Sequence, residues 1–236
     1  MKILQASYSA CGKRSENQDS LLVKGGASGV LAVVADGVGG SEHGELASSG
    51  AVEMLAELLL AAPITESAIE DAVVRTHEAL SRSLPNARTT VAVVAFGANE
   101  AFAAHVGDTR IYQFRNGRIC FQSVDHSVAQ MAVYAGEISS DGIRTHPERN
   151  RLTRVVGGTG VLGLDVRELE IRENDRFLIC SDGFWGKLSE ADMERLCAAS
   201  HSLQEWLSSM RAMVEAREGD NHTAVVLSCT SVGTAV

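Results

Sequence analysis

Five aspartates in this chain stand beside apolar runs, where a strand would begin or end. Asp36 closes the run 30–35 and is followed by Gly37-Val38-Gly39-Gly40. Asp182-Gly183 follows Phe177-Leu178-Ile179-Cys180, and Asp220-Asn221 precedes Ala224-Val225-Val226-Leu227. Asp19 and Asp108 adjoin shorter apolar stretches, Asp19 next to Gln18 and Asp108 next to Gly107. A carboxylate at the mouth of a buried strand is costly unless something positive meets it. Carboxylate oxygens suit hard cations such as Mg²⁺ or Mn²⁺, whereas zinc favours His and Cys. One Asp-Gly step alone is an ordinary hairpin turn. Acids delivered from several separate strands point instead to a shared divalent cation.

The elements that must position these acids can be read from periodicity. Residues 3–10 and 21–23 read as strands, and a strand over 30–35 ends at Asp36. Ala47, Ala51, Leu55, Leu58, Leu59 and Ala62 fall on one helical face over 45–62, stopped by Pro63. A second helix is expected from a Ser67-x-x-Glu70 capping box to Pro85-Asn86. Strands over 90–96, 101–106, 110–114 and 118–122 form a meander, with turns at Asn99-Glu100 and Asn116-Gly117. A short helix is expected at 126–135, opened by His126. An irregular polar segment follows at 136–160. A strand at 176–181, helices near 190–198 and 203–216 (the latter behind a Ser202-x-x-Glu205 cap) and a strand at 223–229 complete the order. Strands and helices do not alternate as βαβ units. The expectation is one α+β domain over 1–236, an α-β-β-α sandwich of two antiparallel sheets flanked by helices.

Composition narrows the function. With 236 residues, 45% of them apolar and 22% charged, the chain can bury a sizeable core. A net charge of −9 with no basic run argues against nucleic acid or an anionic membrane as partner. Five scattered cysteines without a Cys-x-x-Cys pair suit reduced thiols in the cytoplasm. No apolar run has the length of a membrane span, and no signal-peptide core is present. The turn after Asp36 is neither a dinucleotide fingerprint nor a Walker loop. His105 reads as a satisfied core residue and His222 as a loop residue, and no histidine has zinc-type partners in the sequence.

Across nearly its whole length the chain resembles the metal-dependent protein phosphatases of the type 2C family, in the compact bacterial form. The resemblance rests on Arg14-Ser15-Glu16-Asn17-Gln18-Asp19, Ala35-Asp36-Gly37-Val38-Gly39-Gly40, Gly44-Glu45 with Ala47-Ser48, Thr89-Thr90, His105-Val106-Gly107-Asp108-Thr109-Arg110, Asp125-His126-Ser127, His146-Pro147 with Asn150-Arg151-Leu152-Thr153-Arg154, Ser181-Asp182-Gly183 and Gly219-Asp220-Asn221. It implies two Mg²⁺ or Mn²⁺ ions bridged by Asp36. Asp182 and Asp220 would complete one. Asp19, directly or through water, and the Gly37 carbonyl would serve the other. A third ion would lie between Asp108 and Asp182. A metal-bridging hydroxide would attack phosphorus in line. Arg14 would fork the phosphate, as a guanidinium can and Lys13 would not.

The implied substrates are phosphoserine and phosphothreonine proteins, the partner a cognate bacterial Ser/Thr kinase whose action is reversed, and the enzyme a monomer. The loop 136–151 matches the family's flap beside the site. Three positions depart from the pattern: Val38 and Ser41 stand where relatives often carry His, and Arg88 where Gly is usual. The leaving-group acid is therefore unassigned, with His43 nearby in sequence. The competing readings are a non-catalytic phosphoprotein-binding module on the same fold, and a hydrolase of small phosphate esters.

Overall fold

The computed structural model describes residues 2–38, 43–97, 100–159, 161–217 and 219–230. Gly39, Gly40 and Ser41, and Asn99 of one expected turn, lie outside the described residues. In chain order come β1 (Lys2–Ala10), β2 (Asp19–Gly26), β3 (Gly29–Asp36), α1 (Gly44–Leu60), α2 (Glu66–Ser83), β4 (Val91–Phe96), β5 (Ala101–Val106), β6 (Arg110–Arg115) and β7 (Arg118–Gln122). Then follow α3 (Val128–Tyr134), a 3₁₀ turn (Ser140–Thr145), β8 (Asp165–Glu168), β9 (Arg176–Cys180), α4 (Asp182–Trp185), α5 (Glu190–Ala199), α6 (Leu203–Glu215) and β10 (His222–Thr230).

The strands form two five-stranded antiparallel sheets, ordered β1-β10-β9-β6-β7 and β2-β3-β4-β5-β8. Alternation along each strand sorts side chains into layers. Leu31, Val33, Ala35, Val91, Val93 and Val106 pack on α1 and α2. Tyr112, Leu178, Cys180, Ala224 and Val226 pack on α5 and α6 residues such as Met193, Trp206 and Met210. The opposite parity fills the seam between the sheets: Ala32, Val34, Ala92, Val94 and Phe96 meet Ile111, Phe177, Ile179, Val225 and Leu227. The result is the α-β-β-α sandwich read from the sequence. Among the described residues no helix is long and apolar enough to cross a membrane.

Several local readings shift. Thr65, not Ser67, caps α2: its hydroxyl accepts from the Ala68 N–H at 3.2 Å. Two residues separate the caps because Pro63 already ends the preceding turn. Ser127 caps α3, accepting from the Gln130 N–H, and so frees the His126 ring for another task. The Asn116-Gly117 hairpin is as expected, with φ of 52° and 77° at its two central residues. The segment 136–160 is less irregular than its composition suggests. It holds the 3₁₀ turn, and Arg144 ties it down through the Leu188 carbonyl (2.9 Å) and Glu190 (2.8 Å). β8 and α4 are too short to show a period.

Ile179 is fully buried in the seam. Ile179→Ala is expected to lower unfolding free energy by about 2–5 kcal/mol, measured by urea denaturation. A loss under about 1 kcal/mol would mean that the seam is not close-packed there.

Candidate active site

The parity that fills the seam also decides what stands at its end. Asp36 continues the Ala32, Val34 face, and Asp19 continues Leu21 and Val23, so both carboxylates belong to the seam. The β2–β3 register places Asp19 directly opposite Asp36. Thr90, Thr109, Ser181 and Thr223 hold the corresponding end positions on four other strands. Their hydroxyls stitch the sheets together. Thr90 and Thr109 share a hydrogen bond of 2.6 Å and Ser181 donates to Asp19 at 2.7 Å, both between sheets, while the Asp36 N–H donates to Thr90 at 3.0 Å within one sheet. The apolar seam thus gives way, within one residue, to a polar floor.

Above this floor lies a cavity of about 350 Å³, lined by Asp36, Gly37, Val38, Asp108, Asp182, Asp220 and Arg14 among others. Asp108 comes from the β5–β6 turn, Asp182 opens the single turn of α4, and Asp220 lies two residues before β10. Two glycines allow this crowding. A Cβ on Gly37 would run into the Gly44 backbone, and one on Gly183 into the Asn221 carbonyl. Asn221 locks the loop from the other side. Its amide donates to the Cys11 and Glu16 carbonyls, its Oδ1 accepts from the Gln18 N–H, and its own N–H donates to Asp220. All six expected ligand residues and Arg14 are therefore brought to one place, although Asp19 does not itself line the cavity.

The electrostatics are those of an anion trap turned inside out. Burial, then repulsion from Asp19, Asp182, Asp108 and Asp220, pushes the Asp36 carboxyl well above the usual range. Burial and Asp182 do the same to Asp108. Burial and Asp220 raise Asp182, and burial pushes Asp19 up to about 6. Asp19 Oδ1 is buried with no partner. Among the described residues, the one arginine bound to this group is Arg14 at the rim, which donates to Asp220 at 2.6 Å and is raised chiefly by that hydrogen bond. A set of hard oxygen donors that repel one another fits divalent cations of the Mg²⁺ or Mn²⁺ kind.

The sequence reading missed the support behind Asp108. Trp185, in the same short helix as Asp182, donates its indole N–H to the Asp108 carbonyl at 2.9 Å. The Arg110 guanidinium stacks on that indole at 3.5 Å and grips buried Asp125 with two bonds of 2.7 Å. On the other side, the His126 Nδ1 accepts from the Gly107 N–H at 3.2 Å.

His105, His126 and Asp165 do carry ligand atoms within 4.8 Å of one another, contrary to the reading that no histidine has such partners. The chemistry still disfavours a cation there. With Nδ1 accepting, the His126 ring proton sits on Nε2, facing Asp165 at 3.3 Å, and Arg154 already pairs with Asp165 at 2.9 Å. Burial and His105 push His126 down to about 4, which keeps it neutral. His222, read as a loop residue, is buried at the start of β10.

A family model of protein phosphatase 2C matches residues 8–225. The chain belongs to that family. A serine/threonine phosphatase, stp, of Listeria innocua is 27% identical over 209 residues, covering 84% of this chain and 83% of the relative. The solved structure of the Ser-Thr phosphatase MsPP from Mycobacterium smegmatis, in complex with cacodylate, matches with a TM-score of 0.82 at 31% identity, over 97% of this chain and 98% of that one. The catalytic domain of the phosphatase PstP, in complex with 2 manganese ions, matches with a TM-score of 0.77 at 26% identity, over 97% and 99% of the two chains. The two-sheet architecture of this family member is thus the fold of known bacterial Ser/Thr phosphatases, and the family is metal-dependent.

The raised carboxyls set a pH dependence. An acid with a free pKa of about 4 that is raised on folding binds its proton more tightly in the native state. Its ionisation therefore destabilises the fold, from above pH ~4 until pH passes the folded pKa, near 6 for Asp19. In chelator, the melting temperature is expected to fall between pH 5.5 and 7.5. Saturating Mn²⁺ is expected to raise it more at pH 7.5 than at 5.5, because protons compete for the same oxygens. An equal gain at both pH values would contradict this assignment of charge.

Proposed function

We propose that Asp36, Asp182 and Asp220, together with Asp19 and the Gly37 carbonyl, hold two Mg²⁺ or Mn²⁺ ions, and that Asp108 with Asp182 holds a third. The observation that carries this is the convergence of four carboxylates, Asp36, Asp108, Asp182 and Asp220, from both sheets on one cavity, with Asp19 paired across from Asp36 in its floor and Arg14 at its rim. The enzyme is a metal-dependent phosphatase of phosphoserine and phosphothreonine. Bound divalent cations supply neutralising charge and a water acidic enough to ionise near neutral pH.

The chain's own residues do the rest. Asp36 stands among the other four acids and would share the cations with them. Arg14, 59% exposed, can swing from Asp220 to a phosphoryl group and offers it two parallel donors. Val38 lines the cavity where relatives of the expected pattern carry His, and it brings no proton. Position 38 therefore supplies no acid for the leaving oxygen. The segment 136–151 is the flap, with Arg144 fixing its 3₁₀ turn to α5. The substrate is a phosphoprotein, and the enzyme works as a cytoplasmic monomer that reverses a Ser/Thr kinase.

Hydrolysis of a phosphothreonine peptide is expected to require Mn²⁺ or Mg²⁺ and to vanish in EDTA. Asp182→Asn is expected to lower kcat by at least about 100-fold and to remove manganese from the protein in a calorimetric titration. Arg14→Ala is expected to raise KM about 10-fold, the worth of a charged hydrogen bond, with the metal isotherm unchanged. Activity that survives EDTA would refute the reading. Tight phosphopeptide binding without turnover under any divalent cation would favour a binding module.

A further inference from the structure

The loops at 11–14 and 219–222 have two sides. Arg14, Asp220 and Asn221 line the carboxylate cavity. Lys13, Gly219 and His222 line a second cavity of about 430 Å³, closed by Lys187, Glu215 and Arg217. Only this layer of backbone divides them. The Lys13 N–H donates to the Gly219 carbonyl at 2.9 Å, and Gly12 packs against the backbone of Gly219 and Asp220.

Among the described residues, the second cavity is short of negative charge. Lys187 Nζ is buried without a hydrogen-bond partner, and so is Nδ1 of His222, a residue only 4% exposed. Arg217 gives one nitrogen to the Lys187 carbonyl at 2.6 Å and makes no ion pair among the described residues. The one lining carboxylate among the described residues, Glu215, is already held by Arg211 at 2.8 Å. Burial pushes the Lys187 amine down, opposed by Asp220 and Asp182 across the wall. A buried donor left unpaired is a standing cost that an arriving acceptor removes. In a chain of net charge −9, such a pocket is out of keeping with the general surface.

We propose that this cavity is a second anion subsite, which takes the carboxylate or phosphate of an acidic residue in the substrate chain itself, a few residues from the phosphorylated one. Lys187 and Arg217 supply the charge, and His222 a further polar contact. An extended peptide advances ~3.3 Å per residue, so about two to four residues span a wall one loop thick. The proposal rests on the phosphoprotein phosphatase reading and adds to it a sequence preference.

The test is a panel of phosphothreonine peptides, each with Glu at one of the flanking positions and Ala elsewhere, assayed with Mn²⁺ and compared with the all-Ala peptide. One flanking position is expected to raise kcat/KM about 5-fold, through KM with kcat unchanged, as one partly desolvated ion pair would. Arg217→Glu is expected to erase that preference and leave p-nitrophenyl phosphate kinetics unchanged. Lys187→Met is expected to erase it too, with an equal or higher melting temperature, because an unpartnered buried ammonium is removed. Turnover of every peptide without preference, or a preference that survives both substitutions, overturns the subsite and leaves the phosphatase reading standing. Absence of turnover for all peptides overturns both.

Discussion

The structure depends on the two-residue period of its strands. In each sheet one parity faces helices and the other faces the opposite sheet, so the inner strands β3, β4 and β9 are apolar on both sides. A polar group on these strands stands at an end. Asp19, Asp36, Thr90, Thr109, Ser181 and Thr223 all occupy end positions of the inward parity. A one-residue slip in β3 would turn Asp36 toward α1 and bury a carboxylate against α1 residues such as Ala51 and Leu55. The apolar packing of Ala32 and Val34 therefore fixes where the Asp36 carboxylate stands.

The same placement explains the tension in the site. Carboxylates pressed together in a dry seam resist ionisation, and the fold is strained by them unless protons or cations intervene. Stability is spent elsewhere to hold them: the hydroxyl bridges between sheets, the Asn221 lock on two loops, and the Arg110–Asp125 pair behind Trp185. Thr90 and Asn221 themselves line the cavity, whereas the Arg110–Asp125 pair stands behind it. Each limits the freedom of a carboxylate that faces the cavity.

Much of this was legible in the sequence, for physical reasons. Long apolar runs ending in Asp-Gly or preceded by Asp-Asn gave the strands and their acids, and the amphipathic helices declared their own buried faces. The sandwich followed from element order. What escaped were features without a period. α4 is a single turn, β8 has four residues, and the cap of α2 sat at Thr65 because Pro63 set the entry to the helix. Trp185 and His126 escaped because their partners are backbone atoms of Asp108 and Gly107, which no side-chain pattern announces. The Ser181, Thr90 and Thr223 hydroxyls were readable in principle. Each shares the parity of the seam residues beside it.

The position of β10 has a consequence for how the protein is made. It is the last strand in the order of elements, yet it lies between β1 and β9, with Lys2 paired to Thr230 and Ala224 to Cys180. During synthesis, β1 must wait for a neighbour more than two hundred residues downstream, so contacts of long sequence separation close the sheet. Until that strand arrives, β1 and β9 present bare edges to the cell, where a chaperone or a neighbouring nascent chain could bind them. Asp220 also emerges only then. A nascent chain still lacking it is without one of the acids proposed above to hold the cations.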